Sequence, residues 1–381
     1  MTYWTLTESD IDRIAIGVGI LGTGGGGSSY LQMLAAKEML RLGHRIRMIR
    51  PADLPDDAQI IGISGIGAPT VGVEKMGEGG EGERVLRAIE AHTGRPVTAI
   101  LGDEVGGGNG IYPMITAARL DLPVVDCDAM GRAFPEVQMS TFFVGGQASQ
   151  PAALSDSEGN TVVITRASAP AMLEKIMRAA TVAMGCTACM TTAPISGAFI
   201  RQHGVVHTTS LAWVLGNAVI SARETKTDPI AAILDQAGGG LVMRGKVVDI
   251  ERRLAGGFVR GRLVIAGLDS DTGREIAIDI QNEYLVATEG DKRLVMVPDL
   301  ICIVDAETGR PIGTEEQRYG LRVAVLAIPC TPLLRSEAAL KVMGPRAFGY
   351  DYDYVPYGIA AAALPVPFYD HPRPDHPSTG D

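Results

Sequence analysis

The sequence predicts two architectures in one chain: an N-terminal α/β sandwich domain with a mostly parallel sheet, followed by a C-terminal all-β, barrel-like domain. Two observations carry this prediction. Short apolar runs at 45–49, 60–63, 98–101 and 124–125 alternate with amphipathic stretches at 83–93 and 112–120, the pattern of β-α units. From about residue 238 the texture changes to strand-like runs at 241–249, 257–267, 275–286, 293–297, 300–304 and 321–328. Turn sequences such as Asp269-Ser270-Asp271-Thr272-Gly273 and Glu307-Thr308-Gly309 separate these runs.

Each element has its local reason. Thr7-Glu8-Ser9-Asp10 has the composition of a helix start and leads into 11–21. A turn of glycines, Gly22-Thr23-Gly24-Gly25-Gly26-Gly27, follows, and 28–42 reads as a second helix with Leu31, Leu34, Ala35 and Leu42 on one face. A helix over 170–187 opens on Pro170, whose missing N–H is harmless in a first turn, and 207–224 is another. The expected organisation is an α/β domain over 1–167, a helical segment over 168–240 completing it, and a β-rich module with a return segment over 241–362. The stretch 363–381, rich in proline, is expected to be a disordered tail.

Composition excludes several function classes. The formal net charge of −10 argues against nucleic acid as a partner, because phosphate binding needs clustered positive charge. The start Met1-Thr2-Tyr3-Trp4 has no basic region followed by an apolar core, and no apolar run approaches the roughly 20 residues a membrane span needs. Five cysteines fit a reducing cytoplasm better than a disulfide framework. There is no G-x-S-x-G elbow, P-loop or H-E-x-x-H.

Five motifs bear on chemistry. Asp126-Cys127-Asp128-Ala129-Met130-Gly131-Arg132-Ala133-Phe134-Pro135-Glu136 follows a buried-strand signal, Leu122-Pro123-Val124-Val125. Charges at a strand end are costly unless paired or used, and strand ends are where α/β sheets hold ligands. Gly102-Asp103-Glu104-Val105-Gly106-Gly107-Gly108-Asn109 supplies a second acidic pair after 98–101. Together these carboxylates suit either a general acid–base site, with one pKa pushed upward, or a hard divalent cation; solvated loop acids are the plainer alternative. Gly22, Gly24 and Gly27 match G-x-G-x-x-G literally. Three readings stand: a dinucleotide fingerprint, a helix-to-helix turn requiring close backbone packing, or a loop whose amides, with Ser28, hold an anionic substrate group. Cys186-x2-Cys189-x13-His203-x3-His207 has Cys2His2 zinc spacing, but the proline and glycine between the pairs favour core cysteines with unrelated histidines. His207 precedes Thr208-Thr209-Ser210 at a helix start, where it is placed to face a cleft. Alternation in Gln281-Asn282-Glu283-Tyr284 sends Gln281 and Glu283 to one face of a strand, as surface groups or as a pocket wall.

Several segments taken in order resemble one known family. They are the Gly-rich turn, Gly67-Ala68-Pro69-Thr70-Val71, the Asp126 to Glu136 motif, Gly256-Gly257-Phe258, Gln281-Asn282-Glu283, Val297-Pro298-Asp299-Leu300-Ile301 and Gly344-Pro345-Arg346-Ala347-Phe348-Gly349-Tyr350. The chain resembles the S-methyl thiohydantoin desulfurase family, often encountered beside hydantoinase-type proteins, from about residue 10 to about residue 357. The resemblance implies an α/β sandwich with a barrel-like second domain. It also implies hydrolytic removal of sulfur from C2 of a thiohydantoin or its S-methyl form, giving a hydantoin and a thiol. On that reading Asp126 or Asp128 activates water or attacks C2, and Glu104 or Glu136 protonates a ring nitrogen. Arg132 orients a carboxylate, either the substrate's or that of Glu136; otherwise Arg132 and Glu136 form a buried structural pair. His207 shuttles a proton. The substrate-binding candidates are Gly24, Gly25, Gly26, Ser28, Asp103, Asn109, Arg132, Gln281 and Glu283. The cofactor is none or a divalent metal such as zinc. Two alternatives remain: an accessory subunit of a hydantoinase- or oxoprolinase-type complex, and a metal-assisted cyclic amide hydrolase. A homo-oligomer is compatible with either.

Overall fold

The computed structural model describes residues 3–358, so the tail expected at 363–381 lies outside the described residues. The N-terminal half carries a five-stranded sheet in the order Tyr3–Thr5, Arg47–Ile49, Val124–Val125, Ala99–Leu101, Ile60–Gly62. The last four run parallel, and Tyr3–Thr5 is an antiparallel edge. Met48, Ile60, Ile61, Ile100, Leu101 and Val124 are all buried, as short strands covered on both faces require.

The first helix, Glu8–Leu21, starts where the sequence signals it. Thr7 N–H donates to Asp10 Oδ2 at 2.8 Å and Asp10 N–H donates to Thr7 Oγ1 at 3.2 Å, a reciprocal capping box. Buried Asp10 also accepts the Trp213 indole N–H at 2.9 Å, which ties this helix to Thr208–Thr225. The two helices cross at Gly17 and Gly216. A Cβ on either would overlap the backbone carbonyl of Ala212 or Arg13, so the close approach depends on glycine.

A second sheet is the main departure from expectation. Ser64–Gly67, Thr187–Thr191, Ala152–Ser155 and Thr161–Ile164 form a four-stranded antiparallel sheet. The segment 168–240 is therefore not purely helical. The helix expected over 170–187 ends at Ala183, and Gly185 and Cys186, both at positive φ, turn the chain into the strand Thr187–Thr191. That strand, Thr-Ala-Cys-Met-Thr, has too short an apolar run to announce itself beside a strong helix signal.

The C-terminal part is a curled antiparallel half-barrel of seven strands. Their order is Lys292–Met296, Glu283–Glu289, Glu275–Gln281, Phe258–Gly267, Gly240–Ala255, Arg322–Ile328, Leu300–Asp305. Met243, Val247, Leu263, Ile265, Ile278 and Val325 fill its core. The run expected as one strand over 275–286 folds back on itself at Asn282, so that Gln281 pairs with Glu283. Asn282 has φ 58°, a left-handed conformation that asparagine tolerates, and its Oδ1 accepts the Val259 N–H at 2.9 Å. The return segment is pinned by Asp299, which is fully buried. It accepts hydrogen bonds from Cys330 N–H at 2.8 Å, Arg335 Nη2 at 2.9 Å, Tyr354 Oη at 2.7 Å and Tyr357 N–H at 2.7 Å.

Candidate functional site

Three parallel strands end on one side of the first sheet, and each delivers polar residues there. Ile60–Gly62 leads to Ser64, Ala99–Leu101 to Asp103 and Glu104, and Val124–Val125 to Asp126 and Asp128. This is the edge at which open α/β sheets hold ligands. A cavity of about 170 Å³ opens there, walled by the Gly-rich turn, both N-terminal sheets and the hairpin bend of the half-barrel. Asp103, Glu104, Glu136, Arg178 and Glu283 supply its titratable groups, and Gln32, Asn109 and Asn282 its side-chain amides.

The Gly-rich turn sits between two helices, so the nucleotide fingerprint is overturned: the segment before it is Glu8–Leu21, not a strand. The turn joins the two halves of the molecule. Tyr284 N–H donates to Thr23 O at 2.8 Å and Thr314 N–H to Gly24 O at 2.8 Å, while Gly108 and Asn109 N–H donate to Gly27 O and Gly26 O at 3.0 Å. A Cβ on Gly24 would run into the Tyr284 ring, and one on Gly25 into Glu283. Gly24 and Gly25 thus pack behind the cavity, whereas Gly26, Gly27 and Ser28 line it.

The cavity carboxyls do not share one titration range. Burial pushes Asp103 up to about 6, against a hydrogen bond with the Ser64 side chain. Burial pushes Glu104 up to about 8, reinforced by the charges of Asp128 and Asp103. The opposing pull comes from Asn109 Nδ2, which donates to Glu104 Oε1 at 2.6 Å, and from Phe134 N–H, which donates to Oε2 at 3.0 Å. Glu283 is raised by burial and by Glu104, with Arg132 opposing. Asp103 Oδ2 and Glu283 Oε2 are buried without a hydrogen-bond partner. Buried acceptors of this kind are costly unless a ligand or water meets them. Neighbouring carboxyls whose pKa values straddle neutrality can divide the roles of base and acid between them.

Other residues singled out by sequence lie elsewhere. Asp126 is fully buried and caps the helix Thr208–Thr225 from outside it. Its Oδ1 accepts the N–H groups of Thr209 and Ser210 at 3.0 and 3.1 Å, and its Oδ2 accepts Ser210 Oγ–H at 2.6 Å and lies 3.3 Å from His207 Nδ1. A carboxylate there satisfies orphan helix amides and complements the helix dipole. His207, at φ 63°, is held by the same carboxylate, and neither residue lines the cavity. Asp128 lies just behind Glu104. Its Oδ2 accepts N–H groups from Val105 at 2.9 Å, Met130 at 3.0 Å and Gly131 at 2.8 Å, and burial pushes it up to about 7.

Arg132 is fully buried, and neither an orienting contact to Glu136 nor an Arg132–Glu136 pair is present. Its guanidinium donates to Ala133 O at 3.0 Å, Asp299 O at 2.9 Å and Thr23 Oγ1 at 2.8 Å. It cements the junction of the two halves, while Glu136 stands at the cavity wall and accepts from Gln138 Nε2. Gln281 and Glu283 do not share a face, because the bend at Asn282 sends Glu283 to this cavity and Gln281 to another on the half-barrel.

Among the described residues no group of three or more His, Cys, Asp or Glu is arranged to hold a metal ion. The zinc-spaced residues are apart in role: Cys189 is buried in a strand, and the His203 ring stacks on Phe199 with centroids 4.4 Å apart. Sequence reading missed Arg178, the cation of the cavity. It donates to Glu174 Oε1 at 2.7 Å and Pro135 O at 2.9 Å, and lies 4.5 Å from the centroid of Phe258. Its one local signal was the i, i+4 spacing from Glu174 on a helix.

Two family models match, S-Me-THD-like, N-terminal domain over residues 9–166 and S-Me-THD-like, C-terminal domain over residues 168–357. The chain belongs to the S-methyl thiohydantoin desulfurase-like family. A crystal structure of a protein from Chromobacterium violaceum is similar to this S-Me-THD-like chain, with 22% identity and a TM-score of 0.75, covering 93% of this chain and all of that one. That likeness supports the fold. No curated protein matches this chain. Among the described residues of this family member no helix is long and apolar enough to cross a membrane.

Proposed function

We propose that this chain hydrolyses the C2–S bond of an S-alkyl thiohydantoin, releasing a thiol and leaving a hydantoin. The observation that carries the reading is the adjacent pair Asp103 and Glu104 in one cavity, pushed to about 6 and about 8. At neutral pH the first is ionised and the second still holds its proton. C2 is a poor electrophile until a ring nitrogen is protonated. Glu104 gives its proton to that nitrogen while Asp103 takes one from water, whose oxygen attacks C2. The tetrahedral carbon then breaks its bond to sulfur, and the electron pair leaves with sulfur. The proton held by Asp103 passes to the thiolate, and the hydroxyl proton on C2 returns to Glu104 as the carbonyl forms. Water adds across the bond, and one thiol and one hydantoin result.

The remaining groups take positioning roles. Asp128 fixes the backbone that carries Glu104 through the Val105 N–H. Arg178, with Ser28 nearby in the cavity wall, is the partner for an anionic ring substituent. Asp103 takes the base role rather than Asp126 or Asp128, because Asp126 is occupied by a helix start and neither of the two lines the cavity. The test is thiol release from an S-methyl thiohydantoin bearing a propionate side chain, with and without added zinc or manganese. Release above a heat-killed control is expected without added metal. Release only with metal would turn the reading to a metal-assisted hydrolase, and no release would turn it to the accessory-subunit alternative.

A further inference from the structure

The half-barrel carries a second cleft, of about 370 Å³, that the proposed chemistry does not use. Its floor is set by strand register. Arg253, Arg260 and Gln281 stand directly opposite one another on the neighbouring strands Gly240–Ala255, Phe258–Gly267 and Glu275–Gln281. Two residues along, and so on the same face, Glu251, Arg262 and Asp279 form the next row. All six line the cleft, and Leu285, Phe348 and Tyr350 form its apolar side.

The two rows differ in charge. Arg262 has a carboxylate opposite it on each neighbouring strand, and Asp279 Oδ2 also accepts the Tyr350 Oη–H at 3.0 Å. That row supplies its own counter-charges. In the other row two arginines face each other with only a neutral amide beside them, and like charges directly opposite on paired strands are destabilising. Among the described residues neither Arg253 nor Arg260 forms an ion pair or a side-chain hydrogen bond. The same holds for the carboxamide of Gln281, a residue only 3% exposed. An amide so placed is costly unless a ligand or water meets it.

We infer that this row is a binding site for the phosphoryl group of a small phosphate monoester. The inference is independent of the proposed C–S hydrolysis. A monoester carries a charge of about −1.5 to −2 at neutral pH and three strong acceptor oxygens, which match two guanidinium forks and one amide donor. A carboxylate or a phosphodiester brings one charge and two free oxygens, and leaves one arginine unbalanced. The remainder of the ester lies along Leu285 and Phe348. A water molecule needs about 10–15 Å³, so the cleft has room for more than a bare ion.

The experiment is calorimetric titration of the full chain with phenyl phosphate at pH 7.5, with benzoate and diethyl phosphate as singly charged comparators at matched ionic strength. One saturable site with Kd below about 1 mM is expected, with each comparator at least about tenfold weaker. Arg253→Gln, Arg260→Gln and Gln281→Leu should each weaken phenyl phosphate at least about tenfold, the scale of one lost hydrogen bond to a charged group. Arg166→Gln, exposed and outside the cleft, should leave it unchanged. Thermal melting checks that each variant folds. In phosphate-free buffer both arginine variants should melt no lower than the unaltered chain, because they relieve the facing charges. Kd above about 1 mM, comparators that bind as tightly as phenyl phosphate, or folded cleft variants that bind it as the unaltered chain does would each overturn the inference.

Discussion

Glu104 offers a test that needs no substrate. The perturbation is Glu104→Gln, followed by stability against pH. In the folded chain Glu104 keeps its proton to about 8, whereas an unfolded glutamate loses it near 4.5. Between those values the native state binds more protons than the unfolded state, so stability falls as pH rises through this window. At one pKa unit per about 1.4 kcal/mol, raising the pH from 4.5 to 7.5 costs about 4 kcal/mol through this group alone. For a chain of this length that corresponds to a melting shift of about 5 °C. Glutamine removes the titration. It also sets a donor amide against Asn109 Nδ2 or the Phe134 N–H, both of which donate to the carboxyl in the native chain, at a cost of about 1–3 kcal/mol. That cost is independent of pH and cancels when the variant's melting difference at pH 4.5 is subtracted from that at pH 7.5. Thermal melts across this range should show the variant gaining on the unaltered chain as pH rises. Parallel curves would refute the claim that this carboxyl is buried and protonated at neutrality.

The remaining predictions concern other parts of the molecule. Asp103→Asn should lower thiol release by at least about 100-fold with little change in melting temperature; turnover near that of the unaltered chain removes Asp103 from the mechanism. Arg178→Ala should raise KM for a substrate with an anionic side chain and leave a neutral analogue unaffected, which initial-rate kinetics on both substrates will show. Asp126→Ala should act on stability, since it strips the cap from the helix Thr208–Thr225; a loss of about 2 kcal/mol or more by urea unfolding is expected, with kcat retained in the folded fraction. Asp299→Ala leaves the partly buried Arg335 cation and two tyrosine partners unmatched, and should cost about 3 kcal/mol or more in the same assay.

How far the chain could be read from sequence follows from the range of the interactions involved. The capping box at Thr7 and Asp10 and the apolar runs of the parallel strands are local, and they appear where the periodicity places them. The strands Ser64–Gly67, Ala152–Ser155 and Thr187–Thr191 were illegible because they are short and their sheet is closed by non-local pairing, Gly67 with Thr187 and Ser155 with Cys189. Asp103, Glu104 and Glu283 stood out as acids near predicted strand ends or inside a strand, and the fold brings them to one cavity. Asp126 carried the same local signal but is consumed by the start of a distant helix, a partner no spacing rule reveals. Arg132 carried a signal of function and is spent on backbone carbonyls at the junction of the two halves. Arg178 was missed because a helical arginine four residues from a glutamate reads as an ordinary surface pair. Its placement depends on how that helix packs against the half-barrel.

The most direct test of the central claim is the pH dependence of kcat/KM for thiol release from an S-methyl thiohydantoin acid, which reports the acid and base of the free protein. A bell that rises through about pH 6 as Asp103 ionises and falls through about pH 8 as Glu104 loses its proton is the predicted result. A rate that climbs without a descending limb, or one whose limbs stay unmoved in both Asp103→Asn and Glu104→Gln, would contradict it.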